Sequence, residues 1–143
     1  MRHDLTVSQS IDIHAVPSKV WNVLTNPEII KEYLFGTETV TDWKAGSDIV
    51  FQGEYGGHTY RDHGVILNIV LNELLSYSYW SGFTGLEDKP ENYSVVTYTI
   101  RKKDAAITEF TWTQKGYATE EGYNHSITGM TAFLEQIKAI AER

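Results

Sequence analysis

Tyr123–Ala141, YNHSITGMTAFLEQIKAIA, sets Tyr123, Ile127, Met130, Leu134, Ile137 and Ala141 three or four residues apart, with Phe133 and Ile140 at their flank. This spacing predicts an amphipathic helix running to the C-terminus. Its apolar face needs a partner, and the chain before it offers one. From Thr37 to Lys115 the hydrophobic period is near two. The pattern breaks at Lys44-Ala45-Gly46, Gly56-Gly57, Asn72-Glu73, the GLEDKPEN segment and Lys103-Asp104, which predicts six consecutive antiparallel strands. No other part of the chain is large enough to cover the helix.

Upstream, Leu5, Val7, Ile11 and Ile13 alternate with polar residues, Gln9 apart, and predict a first strand. Pro17 suits the first turn of a helix carrying Val16, Val20, Val23 and Leu24. Asn26-Pro27-Glu28 supplies a cap, an N1 proline and an early acid for a second short helix with Ile29, Ile30 and Tyr33. The expectation is an α+β domain in two layers: a curved antiparallel sheet of about seven strands, two short helices after the first strand, and a long terminal helix.

Composition narrows the function. The 143 residues are read as one domain, 1–143. Lys plus Arg number 12 against 19 Asp plus Glu, so the net charge is 12 − 19 = −7, and no basic stripe exists to meet a nucleic acid or an anionic membrane. The absence of cysteine removes thiolate catalysis, thiolate metal ligands and disulfides. The opening MRHDLTVSQSIDI lacks the apolar run of a signal peptide, so a cytoplasmic location is expected. Nine Tyr, five Phe and four Trp suit the wall of a pocket.

Longer segments carry a resemblance. Ile11–Gly36, IDIHAVPSKVWNVLTNPEIIKEYLFG, is followed by Trp43-Lys44-Ala45-Gly46, Gly64-Val65-Ile66-Leu67 and Leu75-Ser76-Tyr77-Ser78-Tyr79-Trp80. Thr108-Glu109-Phe110-Thr111-Trp112 then leads to Gly116-Tyr117 and to Gly129-Met130, Leu134 and Ile137. In this order the segments resemble the START-like, or SRPBCC, superfamily, and within it the branch of homologues of the activator of the heat-shock-protein-90 ATPase. The resemblance implies a helix-grip (START/Bet v-like) fold, with a ligand cavity between the sheet and the C-terminal helix. That branch usually has tryptophan where this chain has Tyr33 and Met130, both positions near its cavity. In the eukaryotic co-chaperones an N-terminal extension engages the chaperone; the chain is read as lacking it, so a co-chaperone role does not follow from the fold.

Alternation assigns the faces. Ile49, Phe51 and Tyr55 are expected inward, with Asp48, Gln52 and Glu54 outward. A two-residue turn at Gly56-Gly57 pairs Tyr55 with His58, Gly53 with Tyr60 and Phe51 with Asp62. The run Tyr60-Arg61-Asp62-His63-Gly64 is thereby split: Tyr60 and Asp62 face in, while Arg61 and His63 face out, Arg61 within diagonal reach of Glu54. Beyond Gly64 the apolar phase flips to Val65, Leu67, Ile69 and Leu71, so a bulge or bend is expected at Gly64. Leu75, Tyr77 and Tyr79, then Val96, Tyr98 and Ile100, then Phe110, Trp112 and Gln114 complete the inward set.

The leading expectation is a non-enzymatic domain binding a small hydrophobic ligand, without cofactor. Its site residues are Tyr33, Phe51, Tyr60, Asp62, Tyr79, Tyr98, Trp112, Gln114, Tyr123, Ile127 and Met130, with Tyr60, Asp62, Tyr98 and Gln114 as polar anchors. An enzyme of the cyclase, dehydratase or hydrolase kind is the alternative, using Asp62 as acid or base with Tyr60 as its hydrogen-bonding partner. A chaperone-interaction module is favoured only by the branch's name, and either a monomer or a homodimer is compatible with the chain. No metal is expected: His58 and Asp62 stand about 13 Å apart at ~3.3 Å per strand residue, and His3, His14 and His125 lie in unrelated segments. No Gly-x-Ser-x-Gly or phosphate-cradling loop occurs.

Overall fold

Prolines and caps start the helices where local chemistry dictates. In the computed structural model, which describes residues 1–143, strand β1 (Arg2–Ile13) leads into α1 (Pro17–Thr25) and α2 (Pro27–Tyr33), each opened by its proline. The Asn26 side chain accepts from the Glu28 N–H at 3.0 Å, capping α2. Strands β2 (Glu38–Thr41), β3 (Asp48–Tyr55), β4 (His58–Val70), β5 (Leu74–Tyr79), β6 (Ser94–Lys102) and β7 (Thr108–Tyr117) follow, then helix α3 (Glu120–Ala141). All pair antiparallel in the order β1-β7-β6-β5-β4-β3-β2, so β1 crosses to the far edge of the meander. The curved sheet holds α3 against its inner face, which is the helix-grip arrangement.

The β3–β4 turn fixes the register. Gly56 and Gly57 have φ of +58° and +82°, the left-handed pair that a type I′ turn demands. Tyr55 pairs with His58, Gly53 with Tyr60 and Phe51 with Asp62, as alternation predicts. Two expectations on this hairpin are corrected. Tyr55 is 72% exposed, because the hairpin tip extends past the helix that would cover it; its ring meets exposed Phe83 edge-on at 6.4 Å. Arg61 makes no ion pair with Glu54, and Gln52, beside it, donates instead to Glu38.

The phase flip in β4 is real but displaced. Gly64 pairs regularly with Ile49, and the β4–β5 register shifts only between Ile66 and Asn68. The extra residue is Leu67, which is half exposed, while Ile66 is buried. Gly64 serves a different need: a Cβ there would lie 1.6 Å from the Ser78 carbonyl oxygen. A glycine is required because β5 backbone crosses where a side chain would stand.

On α3 the predicted stripe holds at Met130, Leu134, Ile137 and Ala141, all buried. Ile127 is 41% exposed, since this part of α3 is tied to the edge strand rather than laid on the sheet. Gln9 Nε2 donates to the Ile127 carbonyl at 2.8 Å, and Thr131 Oγ1 donates to Gln9 Oε1 at 2.7 Å. Gln9, the polar interruption in β1, is therefore the clip for this helix.

The other end of α3 is held by charge. Glu142 Oε2 accepts from the His14 N–H at 2.8 Å and from Lys138 Nζ at 2.5 Å. The Lys138 bond first, and then the His14 N–H, hold its carboxyl below the ordinary value. Such a group contributes stability above its unfolded-state value and loses it as pH falls through the lower native one. Glu142→Gln is expected to cost about 0.5 kcal/mol at neutral pH, an amount typical of a solvent-screened pair. Urea unfolding curves of variant and parent should converge on acidification through the carboxylate range.

Candidate functional site

Inward residues of five strands, with one turn of α3 and the α2–β2 connection, surround a cavity of about 270 Å³. This lies near the lower end of the size range of ligand pockets. Phe51, Tyr60 and Asp62 come from β3 and β4, Tyr77 and Tyr79 from β5, Val96 and Tyr98 from β6, and Trp112 and Gln114 from β7. Phe133 closes it from α3, and Leu34, Phe35 and Thr37 form its rim. Period two puts the strand residues on one face; curvature of the sheet turns that face into a wall.

The wall is a continuous arc of rings. From the rim inward, Phe35 contacts Phe133 at 6.1 Å between centroids, Phe133 stacks on Trp112 at 5.7 Å, and Trp112 meets Tyr98 at 5.0 Å. Tyr98 then meets Tyr77 at 5.9 Å, Tyr77 meets Phe51 at 5.6 Å, and Phe51 meets Tyr79 at 5.9 Å. Such offset and edge-on pairs each contribute about 0.5–1.5 kcal/mol beyond their area, so the wall is stiff. Phe35 is the exception: 83% exposed, with φ of +54°, it combines solvent exposure with left-handed backbone strain at the cavity mouth.

Polar chemistry is sparse and specific. Asp62 is 6% exposed, and its Oδ2 accepts from the Tyr79 hydroxyl at 2.8 Å. The tyrosine bonded to Asp62 is thus Tyr79, across the β4–β5 pair; Tyr60, expected in that role, instead bonds Thr37 Oγ1 at 2.6 Å. Tyr60 reaches Thr37 because its ring lies over Gly53, where a Cβ would come within 2.7 Å of the phenol oxygen. Burial first, then the charge and hydrogen bond of Asp62, push the Tyr79 phenol well above its ordinary value. Burial likewise raises Tyr98 strongly and Tyr77 to about 12. These phenols stay protonated at neutral pH and act as donors, not bases.

Several polar atoms on the wall lack protein partners. Asp62 Oδ1 and the Gln114 amide make no side-chain hydrogen bond, and the Trp112 Nε1–H is buried without an acceptor. Tyr77 and Tyr98 hydroxyls lie 3.2 Å apart; only one hydrogen can lie between them, so the other is left over. Of these only the Trp112 N–H is sealed, an exception among buried polar groups, which are normally paired; Asp62 Oδ1 and the Gln114 amide stay reachable from the cavity.

The structure brings Phe51, Tyr60, Asp62, Tyr79, Tyr98, Trp112 and Gln114 together in this cavity. Four other expected site residues lie elsewhere. Tyr33 is buried and donates to the Val23 carbonyl at 3.0 Å, packing α2 on α1. Met130 is in the core beneath α3, and Ile127 faces solvent. Tyr123 meets Tyr117 edge-on at 5.6 Å, beside a recess of about 280 Å³ that shares the Tyr79 and Gln114 wall and is lined by more polar residue types. Tyr77 and Val96 were legible as inward residues from alternation; Leu34, Phe35 and Thr37 lie in a connection without periodic signal, and Phe133 stood only at the flank of the helical stripe.

On the opposite face, His63 Nε2 lies 2.9 Å from Asp88 Oδ2, and its ring packs on Trp80 at 5.4 Å and Tyr93 at 6.1 Å. Asp88 also accepts from the Tyr93 hydroxyl. This group ties the β5–β6 connection to the outside of the sheet and has no access to the cavity. No group of three or more His, Asp or Glu side chains converges to hold a metal ion, and no helix is long and apolar enough to cross a membrane.

Residues 14–142 match the model of the family described as Activator of Hsp90 ATPase homolog 1-like protein. No curated protein matches the sequence. Among solved structures, a protein from Cytophaga hutchinsonii is 43% identical, with a TM-score of 0.83 over 96% of this chain and 94% of its own. The Aha1 dimer from Colwellia psychrerythraea is 16% identical, with a TM-score of 0.73 over 96% of each chain. An HSP90 activator from Plasmodium falciparum is 17% identical, with a TM-score of 0.73 over 95% of each chain. The last two likenesses are of fold.

Proposed function

Since this chain belongs to the family of Activator of Hsp90 ATPase homolog 1-like proteins, we propose that it acts as a non-enzymatic binding domain for a small hydrophobic or aromatic molecule, held between the sheet and α3. The observation that carries this reading is an aromatic-walled cavity into which two polar groups without protein partners, Asp62 Oδ1 and the Gln114 amide, converge. A packed core leaves such atoms paired, whereas a ligand site keeps a few convergent polar groups for its occupant.

The test uses 2-naphthol, a neutral fluorescent probe. Saturable one-site binding is expected, with a nitrogen–proton NMR shift at the Trp112 indole and none at Trp21, which lies at a separate surface recess. Val96→Trp, which fills the cavity from β6, should abolish binding while the remaining indole signals show an intact fold. Binding that survives Val96→Trp unchanged, or shifts confined to Trp21, would sink the reading.

A second reading, stimulation of a chaperone ATPase, is favoured by the fold shared with the P. falciparum HSP90 activator. Acceleration of ATP hydrolysis by an Hsp90-type chaperone on addition of this protein, insensitive to Val96→Trp, would support it over the cavity.

A further inference from the structure

We propose that the molecule this cavity selects carries a protonated amine on a small aromatic or apolar body, with the ammonium received by Asp62 Oδ1. This rests on the reading of the cavity as a ligand site. Asp62 is more than nine-tenths buried, one oxygen is taken by Tyr79, and the other has no protein partner. That second oxygen is not sealed within the protein, and Asp62 lines the cavity, so it is reachable from there. No Lys, Arg or His lines the cavity to balance the carboxylate. A buried charge without a counter-ion is costly, and a cationic occupant removes that cost.

The surroundings suit a cation. Phe51 and Tyr79 stand together beside the carboxylate, their rings 5.9 Å apart, and Tyr77 follows on the same arc. Ring faces attract ammonium groups within about 6 Å of the centroid, more strongly when both are desolvated. An anionic molecule would meet the Asp62 charge in a site of low dielectric with no positive group to offset it. Fatty acids and aryl carboxylates are therefore disfavoured. The Gln114 amide, on β7, remains free to orient the neutral end of the molecule.

Three probes of matched size separate the possibilities: 2-phenylethylamine, 2-phenylethanol and phenylacetate, titrated at pH 7 with the Trp112 indole signal as readout. The amine should bind at least tenfold more tightly than the alcohol, with phenylacetate weakest. Asp62→Asn keeps an acceptor for Tyr79 but not the charge; it should weaken the amine tenfold or more and change the alcohol less than threefold. Phenylacetate binding as tightly as the amine, or an amine affinity within threefold of the parent in Asp62→Asn, overturns the proposal. If 2-naphthol binds in those cases, the ligand-site reading survives; if neither 2-naphthol nor any of the three probes binds, both fail.

Discussion

Gly64→Ala is expected to cost about 3 kcal/mol or more, a large share of the 5–15 kcal/mol that stabilises a typical domain. The added Cβ would lie 1.6 Å from the Ser78 oxygen and 2.4 Å from its carbonyl carbon, both backbone atoms of β5. No rotamer change relieves such a contact. β5 cannot step aside either, because Ser78 pairs with Val95 on one side and Trp80 exchanges both backbone hydrogen bonds with His63 on the other. Gly129→Ala is the control: it lies in α3 with nothing within 4 Å of its built Cβ, and should gain up to about 1 kcal/mol from helix propensity. Urea unfolding of the two variants should move in opposite directions, and a Gly64→Ala protein within 1 kcal/mol of the parent would refute the close-crossing argument.

Phe110→Ala should cost about 3–5 kcal/mol, the range for truncating a fully buried phenylalanine. Phe110 is 0% exposed and meets the Tyr98 ring edge-on at 5.5 Å, behind the wall of the cavity. Removing it leaves a void beneath Tyr98, whose hydroxyl lies 3.2 Å from that of Tyr77. A loosened Tyr98 should also blur the cavity, so 2-naphthol affinity is expected to fall in a variant that touches no ligand. Phe110→Leu retains most of the volume and should recover most of both losses. Equal unfolding midpoints for Phe110→Ala and the parent would contradict this account.

Much of the framework was legible because its determinants are local. Gly56-Gly57 between alternating strands dictates a type I′ turn, and the turn dictates that Phe51 faces Asp62. Asn26-Pro27-Glu28 caps α2 by contacts within three residues. The splitting of Tyr60 and Asp62 from Arg61 and His63 followed from the same period of two. The bulge was misplaced by three residues, since Gly64 and Leu67 both disturb the pattern and only the β4–β5 register distinguishes a close crossing from an extra residue.

The sequence by itself determined the inward set over most of the sheet and helix, Tyr55, Leu67 and Ile127 apart, because strand alternation and helical periodicity are properties of the backbone within a few residues. Only the tertiary structure decided which inward residues line a cavity and which pack solid. Tyr33 and Tyr79 are both inward tyrosines, yet one donates to an adjacent helix carbonyl and the other to a buried carboxylate. Likewise Tyr79, and not Tyr60, is the partner of Asp62. That choice depends on the curvature of the sheet and on the register between β4 and β5, which bring together residues far apart in the chain and leave no trace in local pattern.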